Sequence, residues 1–229
     1  IDKLRYEMVG SVHKPIMNDI DVAISTDDMM RLVGAKANDF WPKVDSFFKS
    51  HKPKDIPDPA YKVNKGLDQV HISAPIVGQD GKFVQIDLML GDVGFMKDAL
   101  SGAIDSKYKA IYRNLLLANI LRFSHEPTKD PNVTKKYQFN WKKGLQAVDL
   151  STTGGKIEKG NIRTVYNNMD DAASFLFGQN VKFSDINTFE KLFKLLDSPS
   201  FRYKAKKDDI INGFNEDLVR MKLPPIEKE

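Results

Sequence analysis

Polar and apolar positions alternate in several short runs within the first hundred residues, and these runs predict strands. Residues 6–9 form a short run that ends at a Gly-Ser turn, and residues 19–24 place Asp or Ala between three branched apolar side chains. This period of two is typical of a half-buried strand. Residues 69–77 and 82–90 are two further strand-like runs, and the Asp-Gly pair between them predicts a hairpin.

Helical spacing appears between and after these strands. Apolar residues recur at helical intervals from residue 28 to residue 48, and Pro42 predicts a break that divides this stretch into two helices. The pattern becomes helical again from Phe95. Ser106 is a suitable N-cap for a helix that runs to about residue 123.

The second half of the chain is predicted to be mostly helical. Residues 135–150 indicate one β-hairpin, whereas residues 151–160 are rich in Gly, Thr and Lys, as in a connecting loop. Helices are expected from Ile162 onward, near residues 167–177, 185–197 and 207–221. We therefore expect an α+β protein in which residues 1–105 form a mixed-sheet domain and residues 106–229 a helical domain with the hairpin.

The composition fits a folded and weakly basic protein. Of the 229 residues, 41% are apolar and 29% are charged, which permits a sizeable core and argues against disorder. The net charge of +4 suits a polyanionic partner, although a lysine-rich surface explains the same value more simply. The absence of cysteine excludes disulfides, thiolate zinc sites and cysteine nucleophiles. No apolar run has the length of a membrane span.

Asp19 and Asp21 are candidates for a metal site. A strand repeats its side-chain direction every second residue, so both carboxylates project from one face, roughly 7 Å apart along the strand. Two carboxylates so close repel each other, and a bound divalent cation relieves that repulsion. Mg²⁺ takes oxygen ligands and commonly uses one or two carboxylates together with substrate phosphates.

Gly10, Ser11 and Asp87 extend this candidate site. Glycine lets the backbone approach a ligand closely, and a hydroxyl beside exposed N–H groups suits a phosphate. Asp87 lies in the apolar run 83–90, where a carboxylate is rarely left unpaired. As a metal ligand it would allow a second divalent ion to bind. A buried ion pair with Lys82 or His71 is the alternative.

This order of motifs resembles the DNA polymerase β-type nucleotidyltransferase superfamily, in a small bacterial or phage-type form. The matching residues are Val9-Gly10-Ser11, then Asp19-Ile20-Asp21 on a strand, and a lone Asp87 on a later strand. The resemblance implies a mixed-sheet nucleotidyltransferase core in which Asp19 and Asp21 ligate two metal ions. It implies that Asp87 ligates one of them and helps deprotonate the acceptor hydroxyl, and that Gly10 and Ser11 contact the β- and γ-phosphates.

The implied reaction is transfer of a nucleoside monophosphate from an NTP to an acceptor hydroxyl, with release of pyrophosphate and with Mg²⁺ or Mn²⁺ as cofactor. We expect the acceptor to be nucleic acid, RNA or DNA, rather than a protein hydroxyl. We also expect a cytoplasmic protein of a bacterium or a phage-infected cell, with no membrane partner. Lys14, Lys107 and Arg113 are candidate phosphate contacts. The last two fit a solvated helix face equally well.

Two other functions fit parts of the same pattern. A metal-dependent glycosyltransferase also uses Asp-x-Asp to hold a metal and a nucleotide-sugar diphosphate. The upstream Gly-Ser turn and the downstream Asp87 speak against that function. A non-catalytic nucleic-acid-binding or assembly protein that kept the fold is the second alternative, although such a protein gains nothing from three close carboxylates.

Overall fold

The computed structural model describes residues 4–10, 19–52, 56, 58–153 and 156–226. The chain divides into two compact units, Ile1–Ser101 and Gly102–Glu229. The described residues form seven α-helices and nine β-strands, with both parallel and antiparallel pairing, so the predicted α+β class is confirmed. No helix within these ranges has the length and apolar character needed to cross a membrane.

The first unit is built on a five-stranded mixed sheet. Its strands are β1 (Tyr6–Val9), β2 (Asp19–Ser25), β3 (Tyr61–Asn64), β4 (Gln69–Pro75) and β5 (Phe83–Gly91). They lie in the order β1-β2-β5-β4-β3, in which β2 and β5 are parallel and the other neighbours are antiparallel. The predicted first two strands and the predicted hairpin of β4 and β5 are therefore confirmed.

Two helices pack on one face of this sheet. They are α1 (Thr26–Leu32) and α2 (Phe40–Ser50). The buried side chains between these helices and the sheet are Ile24, Met29, Phe40, Val44, Val70 and Leu90. The predicted break at Pro42 is wrong in position, because α1 already ends at Leu32 and Pro42 lies in the first turn of α2. A proline is tolerated there since the N–H groups of a first turn have no helical acceptor.

Buried polar contacts hold the junction between β2 and α1. The Ser25 hydroxyl caps α1 by accepting the backbone N–H of Asp28 at 3.3 Å. Asp28 is only 2% exposed, and it accepts hydrogen bonds from the backbone N–H of Arg5 at 2.8 Å and from its Nε at 3.0 Å. Because Arg5 precedes β1, these contacts fix the start of β1 against the end of β2.

The helix α3 (Val93–Leu100) contacts β1 and β2 on the opposite face. Its Lys97 reaches Glu7 at 3.1 Å, and Glu7 is the register partner of Ala23. Register partners point to the same side of a sheet, and Ala23 shares its side with Asp21. The helix α3 therefore lies on the face that carries the acidic residues of β2.

The second unit contains a four-stranded antiparallel sheet. Its strands, in spatial order, are β6 (His125–Pro127), β7 (Val133–Asn140), β8 (Gly144–Thr153) and β9 (Lys156–Tyr166). Its helices are α4 (Ala110–Leu121), α5 (Met169–Phe177), α6 (Phe189–Leu195) and α7 (Lys207–Arg220). The predicted hairpin near residues 135–150 is confirmed as β7 and β8.

The second half of the chain is less helical than expected, because it contains the strand β9. The sequence predicts a loop over residues 151–160 and a helix from Ile162, yet β8 and β9 occupy this region on either side of residues 154–155, which lie outside the described residues. The strand β9 is a sheet edge, and its side chains are exposed almost throughout. A strand exposed on both faces needs no alternation of polar and apolar residues, so the pattern does not indicate it.

The helix predicted from Ser106 starts four residues late, at Ala110. The Ser106 hydroxyl donates to Glu190 at 2.9 Å and lies 2.9 Å from the Tyr108 carbonyl oxygen instead of capping a helix. Glu190 also accepts the backbone N–H of Lys107 at 2.9 Å. Burial raises the pKa of Glu190, but hydrogen bonds from its own backbone N–H, from Ser106, from Lys107 and from Thr188 together lower it more, so the pKa lies below its usual value.

A buried carboxylate joins α4 and α7 in this unit. Asp217 is 5% exposed and accepts hydrogen bonds from Asn119 Nδ2 at 2.9 Å and from the Arg122 guanidinium at 2.7 Å. Arg220 lies 2.8 Å from its other oxygen. Burial raises the pKa of Asp217, but the hydrogen bonds from Asn119 and Arg122 and the charges of both arginines outweigh it, so the pKa lies below its usual value.

We expect Asp217→Ala to lower the free energy of unfolding of the second unit by about 1–3 kcal/mol, because it removes the carboxylate that accepts hydrogen bonds from the buried Asn119 amide and from Arg122. Urea unfolding followed by circular dichroism at pH 7 measures this change. Glu216→Ala is the matched control, since Glu216 is exposed on the same helix and should change stability by less than about 0.5 kcal/mol. Equal stability of the two variants would contradict the structural role of Asp217.

The same carboxylate predicts a pH dependence. Because the folded pKa of Asp217 is lowered, its stabilisation is present above the unfolded pKa, near 3.9, and is lost as pH falls through the folded pKa. The difference in unfolding free energy between wild type and Asp217→Asn should therefore be largest at neutral pH and should shrink below about pH 4. A constant difference from pH 7 to pH 2 would contradict this.

Candidate metal centre

The pairing of β2 with β5 brings the acidic residues of both strands onto one face. The two strands are parallel and in register, with Asp19 beside Gln85 and Asp21 beside Asp87. Partners in a sheet point to the same side, and side chains two residues apart on one strand also share that side. Asp19, Asp21 and Asp87 are thus placed together by the backbone, before any side-chain contact is considered.

The three carboxylates form a compact cluster. One oxygen from each of Asp19, Asp21 and Asp87 lies within 4.8 Å of the other two. Asp19 is exposed, Asp21 is half-buried, and Asp87 is buried with 8% of its surface exposed. The cluster therefore has one open side and one side embedded in the sheet. When ionised, these groups repel one another, and a cation between them would offset that repulsion.

Burial increases along β2 from the acidic end towards α1. Asp19 is exposed, Asp21 is half-buried, and Ala23 and Ser25 are buried. The helix α3 contacts β1 and β2 on this face. The acidic residues therefore lie where this side of the sheet becomes accessible to solvent, which is a suitable place for a site that must admit a substrate.

Asp87 has two hydrogen-bond partners on the sheet. His71 Nδ1 lies 2.7 Å from Asp87 Oδ1, and Gln85 Nε2 donates to the same oxygen at 2.8 Å. His71 is the register partner of Asp87 on β4, and Gln85 precedes Asp87 by two residues on β5. The sequence offers His71 as an alternative to metal binding, but in the structure Asp87 contacts His71 and also belongs to the acidic cluster.

Gly10 lies against the cluster at the end of β1. Its φ angle is +77°, and a Cβ atom at this position would lie 2.2 Å from Asp21 Oδ2. Both the backbone conformation and the space thus require glycine. Ser11 and Lys14, which the sequence proposes as phosphate contacts, lie outside the described residues. The sequence does not indicate that the backbone of Gly10 lies so close to the Asp21 carboxylate.

Lys107 and Arg113, the other predicted phosphate contacts, belong to the second unit. Lys107 is exposed and precedes α4, so the expectation that it lies on that helix is wrong. Arg113 is only 1% exposed, with its guanidinium donating to the Asn187 carbonyl and lying 5.4 Å from the centre of the Phe183 ring. The alternative that Arg113 lies on a solvated helix face is therefore wrong. Nucleotide contact by either residue stays a prediction.

The donor set of the cluster suits a hard divalent cation. All three candidate ligands are carboxylates, which Mg²⁺ and Mn²⁺ prefer, and zinc sites instead use mainly imidazole and thiolate. Three carboxylates also leave part of the coordination shell of an octahedral ion to water and to substrate oxygens. The residues present therefore fit Mg²⁺ or Mn²⁺.

We expect Gly10→Ala to weaken Mn²⁺ binding by the full chain, because the new Cβ must displace the Asp21 carboxylate. Gly34→Ala is the matched control, since Gly34 also has a positive φ of +63° but has open space around its Cβ position. Both variants should lose about 1 kcal/mol or more of unfolding free energy from backbone strain. Only Gly10→Ala should change Mn²⁺ affinity, measured by electron paramagnetic resonance of the free ion, and equal affinity of both variants would contradict the contact.

Comparison of the sequence with known proteins does not assign the chain to a family. No family model matches the chain, and no curated protein matches it significantly. The features that bear on function are therefore the acidic cluster, the glycine turn beside it and the order of these motifs along the chain.

Proposed function

We propose that this chain is a metal-dependent nucleotidyltransferase that moves a nucleoside monophosphate from an NTP to an acceptor hydroxyl, releasing pyrophosphate. The observation that carries this proposal is the cluster of Asp19, Asp21 and Asp87, in which one carboxylate oxygen from each residue lies within 4.8 Å of the other two. The resemblance of the Gly-Ser turn and the Asp-x-Asp strand to the DNA polymerase β-type superfamily supports the same reaction. Nucleic acid, RNA or DNA, is the proposed acceptor class.

Asp19, Asp21 and Asp87 would hold Mg²⁺ or Mn²⁺ in this proposal. Such ions, when bound, would neutralise charge on the phosphate oxygens and help to orient the reacting groups. The two strands give the carboxylates a rigid support, because β2 and β5 are paired over seven residues in register. A preorganised site of this kind reduces the reorganisation needed when the substrate binds.

The proposed roles of the Gly10 turn and of Asp87 follow from their positions at the acidic cluster. The Gly10 turn brings backbone next to Asp21, so a phosphate bound at this turn would lie beside the acidic cluster. In the reaction, the acceptor oxygen forms a bond to the α-phosphorus, and the bond between that phosphorus and the bridging oxygen to the β-phosphate breaks. The proton of the acceptor hydroxyl passes to the Asp87 carboxylate, and pyrophosphate leaves.

The proposal is tested by incubating the full chain with each α-labelled NTP, Mg²⁺ and a total extract of RNA, DNA and protein. We expect label in the RNA or DNA fraction with wild type and a loss of more than about 100-fold in Asp21→Asn and Asp87→Asn, because even outer-shell changes typically cost 10- to 100-fold. Asp80→Asn, in the exposed turn between β4 and β5, is the charge-matched control and should retain activity.

The other outcomes identify the competing functions. Label transferred from a nucleotide-sugar, and not from any NTP, would indicate a glycosyltransferase. Nucleic-acid binding that is unchanged in both Asp→Asn variants, without any turnover, would indicate a non-catalytic binding protein. Label in protein alone would keep the reaction but replace the proposed acceptor class.

A further inference from the structure

His71 and Gln85 hold one oxygen of Asp87 from two directions. His71 Nδ1 lies 2.7 Å and Gln85 Nε2 lies 2.8 Å from Oδ1. An ionised carboxylate can only accept hydrogen bonds, so His71 must carry a proton on Nδ1 to make this contact. A carboxylate oxygen has two lone pairs, and these two donors use both on Oδ1. Oδ2 is therefore the oxygen of Asp87 that is left for a cation.

The backbone fixes both donors relative to Asp87. His71 is directly opposite Asp87 in the antiparallel pair of β4 and β5, and Gln85 shares its strand and its side of the sheet. Asp87 is buried and His71 is half-buried, so their hydrogen bond is partly shielded from water and stronger than at the surface. The imidazole thus restrains the rotation of the Asp87 side chain.

We propose that His71 is a positioning residue for the metal centre. It holds Oδ1 of the Asp87 carboxylate so that Oδ2 stays available to a cation, and Gln85 assists on the same Oδ1 oxygen. His71 acts through Asp87 and contacts neither the nucleotide nor the acceptor. This inference rests on the proposed function for its role in catalysis, but its effect on cation binding can be measured separately. Donors that orient metal ligands in this way typically change affinity or activity 10- to 100-fold.

The test compares Mn²⁺ binding by the full chain, from electron paramagnetic resonance of the free ion, among three variants. His71→Leu removes the donor and should weaken binding about 10- to 100-fold. His71→Asn places an amide N–H near the position of Nδ1 and should recover most of that loss. His125→Leu removes an exposed histidine on β6 of the other unit and should bind Mn²⁺ as wild type does.

Thermal unfolding of the same samples separates positioning from folding. A merely structural role would lower the unfolding temperature of His71→Leu and His71→Asn alike, and it would not be rescued by asparagine. If His71→Leu does not fold, His71→Ser replaces it, because serine keeps a polar group but is too short to reach Asp87. Unchanged Mn²⁺ affinity in the folded donor-free variant, or no Mn²⁺ binding by wild type, would overturn the proposal.

Failure of the positioning role of His71 can be distinguished from failure of the nucleotidyltransferase proposal. If wild type binds Mn²⁺ but transfers no label from any NTP, the proposed reaction fails. The comparison of His71→Leu with His71→Asn then still decides the positioning role. If wild type is active, His71→Leu should require a higher Mg²⁺ concentration for half-maximal rate, and His71→Asn should return it towards the wild-type value. An unchanged Mg²⁺ requirement in His71→Leu would count against positioning.

Discussion

The candidate site depends on the in-register pairing of two parallel strands. Asp21 lies beside Asp87 because β2 and β5 are aligned residue for residue. A slip of one residue between these strands would turn every side chain of one strand to the other face, so Asp87 would point into the layer under α1 and α2. That slip is disfavoured because it would also expose the apolar residues of the core, such as Leu88 and Leu90. The hydrophobic core thus sets the alignment of carboxylates that contribute nothing to it.

This arrangement concentrates negative charge, so the surrounding contacts have to hold the carboxylates in place against their repulsion. The Arg5–Asp28 contact and the Ser25 cap fix the far end of β2, while α3 contacts β1 and β2 on the face that carries the acidic residues. Gly10 leaves room for Asp21, and His71 and Gln85 restrain Asp87. Asp19 has the most exposed position of the three carboxylates. The cluster therefore combines a rigid, buried side with an accessible side, as a site for an ion and its substrate requires.

The two parts of the acidic cluster could be predicted separately because the determinants of each are local, whereas their convergence depends on the pairing of β2 with β5, which the sequence indicates only through the family resemblance. The period of two in β2 and the hairpin of β4 and β5 specify which side chains share a face, and the apolar run around Asp87 makes an isolated carboxylate conspicuous. The strand β9 could not be predicted, because an exposed edge strand lacks that alternation. The burial of Arg113 has no local signal, since it depends on the Asn187 carbonyl and the Phe183 ring, which lie far from Arg113 along the chain. The sequence presents His71 as an ion-pair partner that would replace a metal at Asp87, whereas the cross-strand geometry permits both contacts.

The distinction between a structural ion-pair network and a cation site follows from the charges around the cluster. In the second unit, Asp217 is neutralised by two arginines and an amide, which is how a buried carboxylate is stabilised without a metal. Asp87 is equally buried, but the contacts described for it come from a neutral amide and from one imidazole, and two more carboxylates lie within 4.8 Å. The two buried carboxylates therefore have different surroundings, since cationic side chains contact Asp217 and further carboxylates lie close to Asp87.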